Sequence, residues 1–381
     1  MIYFDNAATT PALKCALDAF VKTNVETFGN SESNHAVGRA ASKALEGARE
    51  DILEMLGLSS THSLVFTSGA TESNNLALKG AAIKYAKRGK KIITTVAEHP
   101  SVLRPLEELK DLFGFDVSYL PITKEGIIDP NELKPKMDNE VVLVSVMAVN
   151  NEIGSYNKIE EIAKIVRLFP KAIFHVDATQ AIGKMNLPYK DIDLLSFSAH
   201  KFGGVKGTGA LIYKKSLNFI PVNAGGEQEK GFRAGTVNVP GMVAMDVALK
   251  YSLSKMKESE AKEKEIYSFI YSHLITEKEQ IIMNSLPLGE SQTPFVMNFS
   301  LIKKKASVVV EALSNKGIYV SSVSACSSKE ERSSYVIEAL TGDEERAENS
   351  IRLSFSPSSS MEEAKEFLSA FDTILSEVND R

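Results

Sequence analysis

Over its first two-thirds this chain alternates short, nearly continuous apolar runs with stretches of helical character, and that alternation admits few folds. Residues 63–67 read as a strand, and residues 71–88, rich in Ala, Leu and Lys, as a helix. Residues 91–97 are again strand-like, and 100–113 are helical with Pro100 in the first turn. Further apolar, β-branched runs lie at 116–120, 141–149, 172–176, 193–198 and 209–213, with a helical segment at 159–168. Strands that are apolar on both faces and separated by helices require a mostly parallel central sheet covered by helices on both sides.

After Pro240 the texture changes. A long Lys/Glu-rich helical stretch, 241–279, reads as a connecting helix, followed by strands at 295–300 and 351–355 and helices at 305–316 and 361–375. This second region reads as a smaller α+β domain. The length of 381 residues exceeds what one core usually serves. The division expected is a large α/β domain over 14–245, a small domain from 1–13 plus 255–381, and 246–254 as part of the connecting helix. A net charge of -5 provides no field for direct nucleic-acid or membrane-surface binding. No run of about 18 apolar residues is present to span a bilayer, and the start, Met1-Ile2-Tyr3-Phe4-Asp5, has no signal-peptide pattern. With only two cysteines, Cys15 and Cys326, a cytoplasmic chain with reduced thiols is expected.

Four segments place polar groups where strands end, the edge at which open α/β sheets bind ligands. Thr67-Ser68-Gly69-Ala70-Thr71 joins a strand to a helix start, whose unpaired N–H groups and positive dipole end suit a phosphate. Taken alone it equally reads as a plain strand–turn–helix capped by Thr71. In His175-Val176-Asp177-Ala178-Thr179-Gln180, Asp177 can keep a cationic ring nitrogen protonated and Gln180 can reach a neighbouring oxygen, although an Asp at a strand end is also a common helix cap. Ser198-Ala199-His200-Lys201 sets a lysine behind a strand, where burial and nearby positive charge make an amine nucleophilic; most lysines in such a chain are merely solvated. His99, in Ala97-Glu98-His99-Pro100, can stack on a flat ring or shuttle a proton. Together these are the parts that pyridoxal phosphate needs.

The order and spacing resemble the cysteine desulfurases of the NifS/IscS type, within the class V aminotransferases of PLP fold type I. The resemblance runs nearly end to end, through Tyr3 to Thr10, Phe28-Gly29-Asn30, Thr67 to Asn75, Glu98-His99 and Asn150 to Gly154. It continues through Val176 to Gln180, Ser198 to Lys201, Gly225 to Glu229 with Arg233 to Thr236, Ser324 to Ser328 and Ser350 to Ser354. It implies pyridoxal 5'-phosphate as cofactor, held by Lys201 as a Schiff base, with Lys201 also moving the substrate Cα proton. Asp177 would pair with the pyridine nitrogen, Gln180 with the ring oxygen, and His99 would stack on the ring. Ala70, Thr71, Ser198 and His200 would hold the phosphate. Thr236 would reach that phosphate from the other subunit of a homodimer. Asn151 (Asn150 if the register differs by one) and Arg352 would hold the substrate, Arg352 as a fork for its carboxylate.

Cys326 separates desulfuration from transamination. By the resemblance its thiolate would attack the sulfur of the bound L-cysteine, leaving L-alanine and a persulfide. That sulfur would pass to an acceptor protein serving iron–sulfur cluster assembly or tRNA or cofactor thiolation. The small, polar surroundings Ser324-Ala325-Cys326-Ser327-Ser328 favour a reactive thiol over a buried one. A selenocysteine lyase and a PLP aminotransferase for small amino acids are the neighbouring alternatives. This chain departs from the family pattern in carrying Val323 where a glycine is usual, Ser333-Ser334 for Pro-Ser, Asn30-Ser31-Glu32-Ser33 for Asn-Pro-Ser-Ser, and Gly204-Val205-Lys206-Gly207 for Gly-Pro-Lys-Gly. None removes a chemical group; valine disfavours positive φ, so a stiffer loop before Cys326 is expected. The chain ends soon after its last helix, so the tail with which some members dock a scaffold is expected to be missing.

Overall fold

The computed structural model of the chain describes residues 1–277, 279–322 and 333–378. Its strands, in chain order, are β1 (Ile2–Tyr3), β2 (His62–Thr67), β3 (Lys91–Thr95), β4 (Asp116–Leu120), β5 (Val141–Met147), β6 (Ile173–Asp177), β7 (Leu194–Ser198), β8 (Gly209–Lys214), β9 (Ile281–Met283), β10 (Val296–Leu301), β11 (Ile318–Tyr319), β12 (Ser321–Ser322) and β13 (Ser350–Ser354). Seven of them form the central sheet in the order β2-β8-β7-β6-β5-β3-β4. Neighbours from β7 to β4 are parallel, whereas β8 runs antiparallel to both β7 and β2. The segment joining β7 to β8 is only residues 199–208, too short for the crossover that a parallel pair requires. Every residue of β2, β5, β6 and β7 is buried, the result of helices on both faces.

The helical run expected over 71–88 begins at Ala70 and reaches Tyr85, with a π-helical turn, Leu76–Gly80, in its middle. At the end of that turn the Gly80 carbonyl accepts the Ile220 N–H at 3.1 Å. A Cβ at Gly80 would meet the Ile220 carbonyl oxygen at 2.7 Å, so only glycine permits this approach.

A second, antiparallel sheet has the order β12-β13-β10-β9. Helix Met361–Glu377 lies over it, Phe371 meeting Phe299 edge-on at 5.5 Å, and opens with a capping box formed by Ser360 and Glu363. One hydrophobic cluster on a face of the large sheet and another under the small sheet both draw on the 36-residue helix Val239–Leu274. Met242, Met245 and Leu249 join the cluster under the large sheet, whereas Ile266, Tyr267 and Ile270 join the one under the small sheet. The N-terminal segment also links them. β1 pairs in parallel with β11, and Asp5 then bridges to Ser354 beside β13. Among the described residues no helix is long and apolar enough to cross a membrane.

Candidate active site

Since β8 is antiparallel to both β2 and β7, the carboxyl ends of β2, β6 and β7 open on the same edge of the large sheet. A cavity of about 640 Å³ lies there, within the range of small-molecule sites. Its wall includes Ala70, Thr71, His99, Asn151, Asp177, Gln180, Ser198, His200, Lys201 and Arg352. The structure therefore brings together ten residues that the sequence singles out. Thr236 is exposed and is not among the lining residues. Cys326 lies outside the described residues. Asn151 borders the cavity, whereas Asn150 is buried and spent on backbone, donating to the Ala97 carbonyl and accepting from the N–H groups of Glu152 and Ile153.

At the end of β2 the turn at Gly69 leads into helix Ala70–Asn75, which has no side-chain cap. Its first-turn N–H groups border the cavity without intrahelical partners. Gly209 of β8 packs so close that a Cβ there would stand 2.6 Å from the Gly69 Cα. The Glu72 carboxylate accepts from the Ser68 N–H at 2.6 Å and pairs with Arg233 at 2.8 Å, which ties the loop bearing Thr236 to this turn.

Asp177, at the end of β6, is 4% exposed. One carboxylate oxygen accepts the Thr179 N–H at 2.9 Å, and the other accepts from Asn74 at 2.8 Å. Asn74 also donates to the Ser101 hydroxyl, 2.9 Å away, and Ser101 meets the ring of His99 at 2.7 Å. The Nδ1 of His99 accepts the Ser101 N–H, so the neutral ring carries its proton on Nε2. Burial holds the His99 imidazole below its usual range; Asp177 opposes that, and Lys201 adds to it. Behind His99, burial raises the carboxyl of Glu98 to about 8, so it is protonated at neutral pH.

Lys201 follows β7. Its ammonium nitrogen donates to the carbonyls of Ala7 and Ala8 at 2.6 and 2.7 Å. Burial, then Lys184 and Arg352, lower it to about 7. That is the range in which a lysine acts as nucleophile and base. His200 is lowered to about 4 by burial and by nearby lysines, and is neutral. Gln180 donates to the Ala7 carbonyl at 2.9 Å and accepts from Lys184 at 3.2 Å. Arg352 is 9% exposed; it donates to the Asn151 carbonyl at 3.1 Å and pairs with Asp5 at 2.8 Å, and its Nε has no partner. Sequence reasoning assigns no role to Asn74, Ser101, Glu98 or Lys184. Their only signal was position: Asn74 and Glu98 sit inside the segments that carry the resemblance.

Pyridoxal phosphate fits these residues. The uncapped helix start with its glycine-tight turn accommodates a phosphate, the buried carboxylate of Asp177 suits a protonated ring nitrogen, and the lowered amine of Lys201 suits an aldehyde. The class-V aminotransferase family model matches residues 2–367. A NifS/IcsS protein homologue of Lactobacillus delbrueckii subsp. bulgaricus is 39% identical over 377 residues, 98% of this chain and 97% of its own length. The cysteine desulfurase IscS of Dictyoglomus turgidum is 38% identical over 378 residues, 98% of this chain and 94% of its own length. A NifS-like protein of known structure superposes with a TM-score of 0.90 at 34% identity, covering 99% of this chain and 100% of that one. A full-length family match, relatives of this identity and a site whose groups meet at one strand edge lead to one conclusion: the chain belongs to the class-V aminotransferases, among the NifS/IscS-type cysteine desulfurases.

Proposed function

We propose that this protein converts L-cysteine to L-alanine with pyridoxal phosphate and holds the released sulfur as a persulfide on Cys326. The observation that carries the reading is the convergence of Lys201, Asp177, Gln180, His99 and Arg352 on one cavity in a chain of this family. When bound through its aldehyde to Lys201, the cofactor supplies an electron sink for negative charge at the substrate Cα. Asp177 would hold the ring nitrogen, Gln180 the ring oxygen, and His99 one face of the ring. Ala70, Thr71, Ser198 and His200 would hold the phosphate. Lys201, lowered to about 7, takes and returns the Cα proton near neutral pH. Arg352, whose guanidinium now donates to Asp5 and to the Asn151 carbonyl, would donate to the substrate carboxylate, with Asn151 beside it.

The division into 14–245 and 1–13 plus 255–381, joined through 246–254, belongs to the same reading, supported by the two clusters that share one helix. So does a homodimer in which Thr236 of the partner subunit completes the phosphate site. Its support is Thr236 standing exposed away from its own cavity, and an apolar stripe on helix Lys14–Glu26 and just beyond it. There Leu17, Val21, Val25 and Phe28 are 45%, 60%, 70% and 71% exposed. The sulfur acceptor is a second protein, serving iron–sulfur cluster assembly or thiolation, in a cytoplasmic setting. The test loads the protein with pyridoxal phosphate and supplies L-cysteine and a thiol reductant. Alanine and sulfide should appear in equal amounts, and Cys326→Ala should keep the cofactor absorbance while losing both products. Sustained alanine formation by Cys326→Ala, or transfer of the amino group to a keto acid in place of sulfide release, overturns the reading.

A further inference from the structure

Lys184 stands just outside the wall of the site cavity, which Lys201 and Lys206 line. It stands in the turn after β6, half-buried, with its ammonium nitrogen 5.0 Å from the centre of the Phe295 ring. Phe295 is 2% exposed, so one side of the cation rests near a buried ring. Glu263, 5% exposed on helix Val239–Leu274, is the acidic group that faces it. Neither group of this pair is free of strain: burial pushes the Lys184 amine down and the Glu263 carboxyl up.

The hydrogen bonds run from Lys184 to Lys201 through two groups. Lys184 donates to Gln180 Oε1 at 3.2 Å, Gln180 Nε2 donates to the Ala7 carbonyl at 2.9 Å, and Lys201 donates to the same carbonyl at 2.6 Å. An ammonium has only donors and a carbonyl only lone pairs. Both neighbours therefore demand the same orientation of the Gln180 amide, oxygen toward Lys184 and NH₂ toward Ala7. The second N–H of that NH₂ remains for the cavity that Gln180 lines. Without Lys184 the Ala7 carbonyl alone would hold that orientation, and the Gln180 oxygen would be left to water.

We propose that Lys184 is a positioning residue for Lys201, backing the orientation in which the Gln180 amide donates toward Ala7 and opposing protonation of the Lys201 amine by like-charge repulsion. This rests on the reading of Lys201 as the cofactor lysine. Charged groups reach Lys201 from several elements: Lys184 after β6 and Arg352 on β13 disfavour its proton, while Asp177 at the end of β6 and Asp5 beside β13 favour it. Lys184 is the stronger of the two cations, and burial acts in the same direction. Removing it leaves both carboxylates in place, so the amine gains a proton more readily.

The test uses the full-length protein with Lys184→Met, which keeps the length of the side chain, and Lys184→Arg, which keeps the charge. The first readout is the pH midpoint of the visible absorbance of the cofactor-loaded protein. The second is the pH dependence of Lys201 labelling by an amine reagent after the cofactor is stripped, followed by peptide mass. Lys184→Met should move the Lys201 midpoint upward by roughly one unit, about tenfold in the neutral fraction at a given pH. Lys184→Arg should stay close to the wild type. An unmoved midpoint in folded Lys184→Met, or an Arg variant that shifts as far as Met, overturns the proposal. If Lys184→Met does not fold, Lys184→Gln carries the same expectation and the same refutation. Failure of the wild type to take up pyridoxal phosphate would instead defeat the functional reading, while the labelling result would still report on Lys184.

Discussion

Lys201→Met should stabilise the cofactor-free protein while abolishing its activity, and the gain should shrink as pH rises. The amine has an ordinary value near 10.5 and sits at about 7 in the fold. The folded state therefore releases its proton far earlier than the unfolded chain. Between the two values the unfolded chain binds more protons, so the wild type gains stability as pH rises through that window. Below about pH 7 both states are protonated and the fold bears the full mismatch, at about 1.4 kcal/mol per unit a ceiling near 5 kcal/mol. At pH 8 the ceiling falls to about 3 kcal/mol, and above about pH 10.5 it vanishes.

The cavity is open to water, which relieves much of that mismatch, and Met gives up the hydrogen bonds to the Ala7 and Ala8 carbonyls. Those carbonyls can be rewetted, so their loss costs about 1 kcal/mol each at most. The net expectation is a variant more stable than the wild type by about 1–2 kcal/mol at pH 6, with the difference closing or reversing by about pH 10. Urea unfolding of cofactor-stripped protein, followed by circular dichroism at pH 6, 8 and 9.5, measures it. A difference that stays constant across those three pH values, or that grows with pH, refutes the argument, because it would mean that Lys201 does not carry a lowered proton affinity in the fold.

Asp177→Asn should leave the fold intact, because Asn74 can turn its unpartnered Oδ1 toward the new amide. Cofactor retention should nevertheless weaken at least about tenfold in equilibrium dialysis, since the ring nitrogen loses its counter-charge. Glu229→Ala should cost about 3–5 kcal/mol in urea unfolding. Glu229 is buried and accepts both a two-pronged bond from Arg49, at 3.0 and 2.9 Å, and the Phe66 N–H. Its backbone lies at φ 49, in the left-handed region, inside the loop that leads to Thr236, so the pair also holds an unfavourable conformation. The double variant Arg49→Met/Glu229→Leu should recover a large part of that loss, because no buried charge is then left unpaired. Glu98→Gln should flatten the stability profile between about pH 4.5 and pH 8. With Glu98 raised to about 8, the fold holds a proton that the unfolded chain has released above its ordinary value of 4.5, so the wild type loses stability as pH climbs between the two. Relative to Glu98→Gln, thermal midpoints of the wild type should therefore fall from pH 5 to about pH 8 and level off above it.

The parts of this protein that a reader of its sequence can place are those fixed by local rules. Strands β2, β5, β6 and β7 announce themselves as apolar runs, and Thr71, Asp177, Ser198 and Lys201 are found because each stands within a few residues of a strand end. Strand direction is not local. β8 has the same apolar texture as its parallel neighbours, and only the short span of residues 199–208 turns it around. The bond from Ile220 to the Gly80 carbonyl, at the end of the π-turn Leu76–Gly80, is not local either, since Ile220 lies far along the chain.

The same distinction separates the groups that hold a cofactor from those that tune them. A strand end fixes where Lys201 stands, but whether its amine keeps a proton depends on Arg352 and Asp5, which meet across 347 positions of sequence, and on Lys184, itself set against Glu263 of the long helix. Asp177 is likewise visible as a carboxylate at a strand end, yet its orientation is set by Asn74, 103 residues earlier. Electrostatic settings of this kind arise only when the small sheet, the N-terminal segment and the long helix close around the large sheet. It follows that a change at the junction of those elements, at Glu263 or Phe295, should alter the titration of the site without touching any group that contacts the substrate. A sequence motif drawn at the strand ends alone cannot foresee that sensitivity.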